Sequence, residues 1–210
     1  MICILGGTFD PVHYGHLRTA VEVQQALGLE KLLLLPSFIP PHRDEPSITA
    51  QQRLALLNLA IASEPALQID QRELDRAGRS FMVDTLASYR EQAGDEPVCL
   101  LLGLDALLGL HRWHQWESIP ELAHLLVMER PGYDFPDDGP IAALLDKRQV
   151  ETMRPLFQQP AGLIYTMPVT RLDIASTTIR QLLAAGMNAR YLLPDKVLEK
   201  IKSEGWYLHQ

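Results

Sequence analysis

The fold of this chain is decided by the stretch Ile2-Cys3-Ile4-Leu5-Gly6-Gly7-Thr8-Phe9-Asp10-Pro11-Val12-His13-Tyr14-Gly15-His16. Residues 2–5 are apolar and too few for a helix, and the glycine pair that follows permits a sharp turn, so a buried strand is predicted here. From residue 14 to residue 27 apolar side chains recur at near-helical spacing, and Gly28 provides a helix stop. Residues 31–35 form another predicted strand, which completes a βαβ unit.

The rest of the chain continues this alternation of strands and helices. Further strands are predicted at residues 67–70, 98–102, 125–128 and 163–167, and further helices after Thr49 and at residues 82–93, 174–185 and 194–203. Prolines predict a long loop over residues 37–47, while a charged turn is expected at residues 75–79 and a surface loop at residues 133–139. The alternation predicts one α/β domain over residues 1–210: a doubly wound, mostly parallel, Rossmann-like sheet with helices on both faces and a C-terminal helical portion.

The composition argues against several classes of partner. The formal net charge of −7 over 210 residues disfavours binding to nucleic acid or to an anionic membrane. Cys3 and Cys99 lie in apolar runs, which predicts buried, reduced thiols rather than a disulfide or a metal site. With no apolar run of membrane-spanning length and no basic leader before the first strand, a cytoplasmic protein is expected. The sequence is compatible with a homo-oligomer and does not determine the oligomeric state.

Two histidines three positions apart are the residues of the opening stretch that are suited to taking part in a reaction. The glycine-rich turn before them lacks both the phosphate-loop lysine and the Gly-x-Gly-x-x-Gly spacing. His13 and His16 stand at a predicted helix start, where backbone N–H groups and a partial positive charge attract phosphate. On these residues alone, the favoured interpretation is two ordinary histidines, one capping the helix and one packed. Neither a Cys/His zinc cluster nor a Ser/His/Asp arrangement is present to suggest another chemistry.

Four further segments accompany residues 6–16. They are Pro40-Pro41-His42-Arg43, Ser80-Phe81-Met82-Val83-Asp84-Thr85-Leu86, Gly103-Leu104-Asp105 with Trp113, and Ile174-Ala175-Ser176-Thr177-Thr178-Ile179-Arg180. In this order the five segments resemble the nucleotidyltransferase superfamily that carries an (H/T)-x-G-H motif, in its bacterial nicotinate-nucleotide adenylyltransferase form. The resemblance extends from residue 2 to about residue 186, and Ala175 departs from it by replacing a serine.

The resemblance implies a reaction in which the 5′-phosphate of nicotinic acid mononucleotide attacks the α-phosphorus of ATP, giving deamido-NAD and pyrophosphate. Mg²⁺ accompanies the triphosphate, and no dedicated protein metal site is predicted. Catalytic roles are implied for His13, His16 and Arg180, with His16 the better candidate for stabilising the pentacoordinate phosphorus. The ATP-binding residues that it implies are Gly6, Gly7, Thr8, Phe9, His13, Gly15, His16, Ser176, Thr177 and Arg180. Such a transfer depends on positioning and charge neutralisation more than on a protein nucleophile.

For the mononucleotide, the resemblance implies binding by His42, Arg43, Thr85, Asp105, Trp113 and His114. The pyridine ring would stack on Trp113, and backbone N–H groups near Thr85 and His114 would hold the carboxylate. His114 stands where an aromatic residue such as tyrosine is expected. Judged by residue type alone, Asp105 is also suited to capping a helix, and His42 with Arg43 to forming a solvated basic pair.

Two other functions stay open at this stage. One is an adenylyltransferase for nicotinamide mononucleotide or another phosphomonoester. A small displacement of the backbone near Thr85 would allow the site to bind an amide in place of the carboxylate. The other is a non-catalytic, regulatory domain that binds nucleotide without turnover. The enzyme hypothesis also makes a geometric prediction: residues 6–16 and the helix start at residues 176–180 should meet around one triphosphate.

Overall fold

The computed structural model describes residues 1–40, 45–129, 135–170 and 172–208. In this part of the chain the strands are β1 (Ile2–Gly7), β2 (Leu32–Pro36), β3 (Leu67–Ile69), β4 (Val98–Gly103), β5 (His124–Glu129), β6 (Gln149–Val150) and β7 (Ile164–Pro168). The α-helices are α1 (Tyr14–Ala26), α2 (Ala50–Ile61), α3 (Arg72–Arg76), α4 (Met82–Ala93), α5 (Leu104–Leu108), α6 (Ile119–Leu122), α7 (Gly139–Arg148), α8 (Ser176–Ala184) and α9 (Asp195–Glu204). The seven strands belong to one sheet, and the strand pairings are parallel.

The chain divides into two compact units. The first comprises Met1–Gly6 and Arg79–Val169, and the second comprises Gly7–Gly78 and Thr170–Gln210. Each unit therefore contains pieces that are distant in sequence, and β1 ends at the change from the first unit to the second. The single domain expected over residues 1–210 stays a prediction.

The first unit is built on the strand order β1-β4-β5-β7-β6. Cys3 lies opposite Cys99 in the β1–β4 pairing, and both thiols are free and buried, as predicted. Strand β4 is buried up to Leu102 and β5 up to Met128, because each is flanked by strands on both sides and contributes apolar side chains to the core.

The second unit contains the parallel pair β2–β3 and the helices α1, α2, α8 and α9. Helix α1 buries Leu17, Ala20 and Val23, which lie on one face because of their helical spacing. Helix α2 packs against α9, whose buried residues are Val197, Leu198 and Ile201. Thr49 caps α2 as predicted, since its hydroxyl accepts the N–H of Gln52.

The predicted α/β class with a mostly parallel sheet is confirmed, and most predicted elements agree with the observed ones within one or two residues. Helices α3 and α7 are among those that were not predicted. Helix α3, residues 72–76, overlaps the start of the charged turn expected at residues 75–79, and its Leu74 buries an apolar side chain among charged neighbours. Helix α7 begins at Gly139, where a loop was expected to end, and buries Ile141 and Leu145 one turn apart. Among the described residues, no helix has the length and apolar character needed to cross a bilayer.

A fully buried histidine makes the stability of the first unit depend on pH. The Nδ1 atom of His124 accepts the Leu163 N–H at 3.1 Å, and its Nε2 lies 2.9 Å from the Gln159 carbonyl oxygen, so the ring is a neutral Nε2–H tautomer. Burial lowers the pKa of His124, with the Gln159 carbonyl acting in the opposite direction. The folded state therefore binds this proton less readily than the unfolded state does.

We expect the free energy of unfolding to fall as the pH drops below about 6.5, the ordinary histidine pKa, because only the unfolded chain then gains the proton. At pH 5.5 the loss contributed by this histidine cannot exceed about 1.4 kcal/mol, the value for a group that gains its proton only in the unfolded chain. Urea unfolding at pH 7.5 and 5.5 measures the loss. In His124→Gln, which cannot titrate, the loss between these two pH values should be smaller, and an equal loss would remove His124 as its source.

Candidate active site

The turn after β1 is closed by the packing of Phe9 over glycine. Phe9 is 1% exposed and has a φ of 51°, so its backbone lies in the left-handed region. Its ring folds back over Gly7, where an added Cβ would lie 3.0 Å from the ring atom Cζ. Gly7 is therefore required by close contact, and the turn directs the following residues toward the start of α1.

The two histidines predicted from sequence lie together at the N-terminus of α1. His13 is the N-cap residue and is 5% exposed, and the His16 ring stacks on it with 3.7 Å between centroids. The edge of Phe9 packs against His16, with 5.0 Å between the ring centroids. Capping and packing, the structural roles left open by the sequence, are thus present.

The backbone determines which nitrogen of His16 carries the proton. The His13 N–H donates to His16 Nδ1 at 3.3 Å, so Nδ1 is an acceptor and the neutral ring has its proton on Nε2. His16 is only half-buried, so an Nε2–H donor is presented at a helix N-terminus, where the helix dipole also favours an anion. This arrangement is suited to binding phosphate.

Gly15 is required by the position of the His13 ring. A Cβ at residue 15 would lie 2.9 Å from His13 Nδ1, 3.0 Å from Cε1 and 3.5 Å from the carbonyl oxygen of Ile174. The first of these distances is shorter than a real Cβ tolerates. The glycine of the motif therefore lets the His13 ring, the helix start and the segment before α8 approach one another.

Residues 10 and 11 contact the start of α8 directly, so this part of the predicted meeting is observed, while the triphosphate between the two segments stays a prediction. The Ser176 hydroxyl donates to the Pro11 carbonyl oxygen at 2.9 Å, and Arg180 Nη1 donates to the Asp10 carbonyl oxygen at 2.7 Å. Arg180 Nη2 also lies 3.3 Å from the Thr177 hydroxyl. Two segments far apart in sequence are thereby joined by direct hydrogen bonds.

Ala175 replaces the serine of the family motif, and this replacement affects the N-terminus of α8. Residue 175 is the N-cap position of α8, and alanine offers no side-chain acceptor for the first N–H groups of the helix. A serine there would stabilise the helix start by about 1 kcal/mol. With alanine, the N–H groups of the first turn depend on other acceptors, a bound anion among them.

A buried carboxylate, Asp10, organises this region and was not singled out by the sequence. Asp10 is 5% exposed, and its Oδ2 accepts the Ser47 N–H at 2.8 Å while its Oδ1 accepts the Tyr207 hydroxyl at 2.7 Å. Arg180 Nη1 lies 3.8 Å from Oδ2. Asp10 stands inside the matched motif, but nothing in the local pattern indicates the residues that contact it.

Arg53 is a second buried charged residue of this region that the sequence did not single out. Its side chain is buried on α2, and it donates to the carbonyl oxygens of Thr8 at 2.6 Å and Phe38 at 3.0 Å. Burial lowers the pKa of Arg53, whereas the nearby Asp10 carboxylate acts to raise it. An arginine among apolar helix residues is a signal that could have identified it, since such a side chain requires partners when buried.

The residues predicted for the mononucleotide that the structure describes lie in the first unit. Thr85 is fully buried, and its own N–H donates to the Phe81 carbonyl oxygen at 3.3 Å. The N–H groups without an acceptor inside α4 are therefore those of residues 82–84. Gly6 lies beside this helix start, because its added Cβ would be 3.0 Å from Met82 Cε. His42 and Arg43 lie outside the described residues.

The other predicted mononucleotide residues follow β4. Asp105 is exposed in the first turn of α5, whose N-cap is Gly103, so the alternative of a capping aspartate at residue 105 is wrong. Trp113 is half-buried after a short 3₁₀ turn, and His114 is exposed. The His114 ring contacts Phe81 with 4.6 Å between centroids, which places an imidazole beside the start of α4.

No group of three or more His, Cys, Asp or Glu side chains that could hold a metal ion occurs within residues 1–40, 45–129, 135–170 and 172–208.

Comparison with known proteins identifies the family. The model of the cytidylyltransferase-like family matches residues 4–182. A probable nicotinate-nucleotide adenylyltransferase of Methylococcus capsulatus is 50% identical over 208 residues, which are 99% of this chain and 99% of that protein. The corresponding protein of Halorhodospira halophila is 45% identical over 206 residues, 98% of this chain and 94% of its own length.

A solved structure shows the same fold at low identity. The nicotinic acid mononucleotide adenylyltransferase of Plasmodium falciparum, determined with NaAD, has a TM-score of 0.75 and 14% identity, and the match covers 100% of this chain and 98% of the other. The full-length relatives and the family model agree with the five sequence segments. The chain therefore belongs to the nicotinate-nucleotide adenylyltransferase family of nucleotidyltransferases, among the cytidylyltransferase-like proteins.

Proposed function

We propose that this protein transfers the adenylyl group of ATP to nicotinic acid mononucleotide, giving deamido-NAD and pyrophosphate in NAD biosynthesis. A 5′-phosphate oxygen of the mononucleotide forms a bond to the α-phosphorus, and the bond from that phosphorus to the bridging oxygen of pyrophosphate breaks. The observation that carries the proposal is the 50% identity, over nearly the whole of both chains, to a probable enzyme of this name. The hydrogen-bonded pairing of residues 10–16 with α8 supports it.

The triphosphate is assigned to the second unit. His16 Nε2–H and the N-terminus of α1 donate to phosphate oxygens, and His13 holds the His16 ring and the helix start in place. Arg180 keeps N–H donors beyond those that bind Asp10 and Thr177, so it can neutralise charge that develops on pyrophosphate. The Ser176 hydroxyl has one hydrogen, which Pro11 accepts, so we assign phosphate binding at this residue to its backbone N–H.

Gly6, Gly7 and Gly15 are assigned to close approach of the backbone to the nucleotide, and Thr8 to its path. The Phe9 ring is buried over Gly7, so Phe9 can contribute only its backbone. Mg²⁺ is expected to arrive on the triphosphate as part of the substrate, where it reduces the charge that Arg180 and the histidines must balance. We expect the reaction to take place in the cytoplasm, which the two free, buried thiols favour. A homo-oligomer stays a prediction.

The nicotinate ring is assigned to the first unit. Trp113 supplies a stacking surface, the N–H groups of residues 82–84 and the ring of His114 face the carboxylate, and Asp105 accepts ribose hydroxyls. A carboxylate benefits from the positive end of α4 more than an amide does, so the acid is the preferred substrate. His42 and Arg43 remain proposed phosphate ligands from the proline-rich loop.

Pyrophosphate release from ATP, Mg²⁺ and nicotinic acid mononucleotide tests the function. We expect turnover with a kcat/KM for the acid well above that for nicotinamide mononucleotide. Equal values would contradict the selectivity, and a preference for the amide would assign the alternative substrate. ATP binding by calorimetry without any pyrophosphate release would instead indicate a non-catalytic domain.

Trp113→Ala should raise the KM for nicotinic acid mononucleotide about tenfold and change kcat by less than about threefold, because stacking stabilises ground state and transition state alike. Steady-state kinetics with saturating ATP measures both constants. Trp116→Phe is the matched control, since Trp116 lies in the next 3₁₀ turn and has no assigned role. An unchanged KM in Trp113→Ala would contradict the stacking role.

A further inference from the structure

Tyr207 donates a buried hydrogen bond to the carboxylate that lies beside the proposed phosphate ligand Arg180. The residue is 3% exposed and follows α9, whose C-cap residue is Gly205. Its own φ of 63° lies in the left-handed region, an unfavourable conformation for a residue with a large side chain. This backbone is held in a conformation that brings the phenol oxygen within 2.7 Å of Asp10 Oδ1, although the two residues are 197 positions apart.

Both oxygens of the Asp10 carboxylate are fixed by donors from other segments. Tyr207 binds Oδ1, and the Ser47 N–H binds Oδ2. Burial first, and then the adjacent Asp10 charge, raise the pKa of the Tyr207 phenol, so it remains a hydrogen-bond donor at any physiological pH. The orientation of the carboxylate therefore depends on the phenol hydroxyl.

Arg180 is fixed to the same residue. It donates to the Asp10 carbonyl oxygen at 2.7 Å and faces Oδ2 at 3.8 Å, and about a quarter of its side chain, 26%, is exposed. Its guanidinium is thus oriented by Asp10 on one side and keeps an accessible side for an anion. The Asp10 carboxylate acts on Arg180 through the 3.8 Å ion pair at Oδ2, whereas the shorter bond is accepted by the Asp10 backbone carbonyl.

We propose that Tyr207 is a positioning residue for adenylyl transfer, which orients Arg180 through the Asp10 carboxylate. The inference rests on the proposed function, because it concerns how the triphosphate ligand Arg180 is aimed. Removing the phenol hydroxyl leaves Asp10 Oδ1 buried without its donor, and the carboxylate then reorients toward another hydrogen-bond donor. Arg180 follows, and its donors no longer match the triphosphate.

The test is Tyr207→Phe, which removes one oxygen and keeps the ring. We expect kcat/KM for ATP to fall about tenfold, as for a lost hydrogen bond to a charged group, while the KM for nicotinic acid mononucleotide stays within about twofold. Tyr191→Phe is the matched control, because Tyr191 is 79% exposed and should keep wild-type constants. Urea unfolding of each variant shows that the folded protein is assayed.

A double-mutant cycle separates positioning from general destabilisation. In an Arg180→Ala background, Tyr207→Phe should change kcat/KM for ATP by less than about twofold, because the group through which it acts is absent. An equal fall in both backgrounds, or no fall in wild type, would overturn the proposal. If Tyr207→Phe does not fold, Asp10→Asn takes its place in the same cycle with the same expected coupling to Arg180.

The proposed function and this inference fail in different ways. Wild-type protein without pyrophosphate release would contradict the proposed function itself. Wild-type turnover together with unaffected Tyr207→Phe turnover would leave the function in place and remove Tyr207 from it.

Discussion

Replacing His16 by alanine should lower kcat by roughly 10²–10³-fold, the effect of losing one preorganised donor to a charge that develops in the transition state. The structure places the Nε2–H of this ring at the N-terminus of α1, because its Nδ1 is occupied by the His13 N–H. The KM for nicotinic acid mononucleotide should change little, since that substrate is assigned to residues of the first unit. The loss is therefore expected in the chemical step.

His16→Ala is measured by pyrophosphate release under saturating substrates, with urea unfolding as a check on folding. Alanine is compatible with the third position of a helix, so a change in stability of no more than about 1 kcal/mol is expected. His111→Ala is the control, because His111 is an exposed histidine with no assigned role. Turnover of His16→Ala within about threefold of wild type would remove His16 from the mechanism.

Gly15→Ala should separate activity from stability. Alanine is favoured over glycine by up to about 1 kcal/mol within a helix, so a destabilised helix is not the expected result. The new Cβ would instead lie 2.9 Å from Nδ1 of the His13 ring. That ring is buried and stacked on His16, so it can yield only by displacing the proposed phosphate donor.

We expect kcat/KM for ATP to fall at least tenfold in Gly15→Ala, by analogy with the cost of a small misplacement of catalytic groups, while the melting temperature changes by only about 2–4 °C. Gly109→Ala is a matched control, because its nearest contact is the flexible end of Arg112 at 3.1 Å. A large loss of melting temperature in Gly15→Ala, or unchanged kinetics, would contradict a specific displacement of the histidines.

Local sequence carried the prediction of the elements around the site. The strand β1, the turn and helix α1 were predicted from apolar spacing and paired glycines, which act over a few residues. Thr49 and Gly205 marked a helix start and a helix end, because caps are also local devices. Helix α7 was missed because its short apolar face follows an acidic, glycine-containing segment that is typical of a loop.

The candidate site was predicted only in part. Residues inside the sequence motifs were predicted, whereas contacts between residues that are distant in sequence were not. His13, His16 and Arg180 were predicted because they belong to motif segments that resemble a known family. Asp10 lies within such a segment, yet its role depends on Tyr207, whose own neighbours in sequence show no related pattern. The capping role considered for Asp105 was wrong because α5 begins at Leu104, two residues earlier than that role requires.

The sequence by itself therefore determined the α/β class, the positions of most strands and helices, and the family, since each of these depends on local spacing or on motif residues in order. The contacts of His13 with Gly15 and with His16 are local and depend on the side-chain geometry of the helix start. Only the tertiary structure decided that Asp10 is shared by Arg180 and Tyr207. The physical reason is that hydrogen bonds and close packing depend on distance in space. Residues 197 positions apart leave no periodic trace of such a contact in the chain.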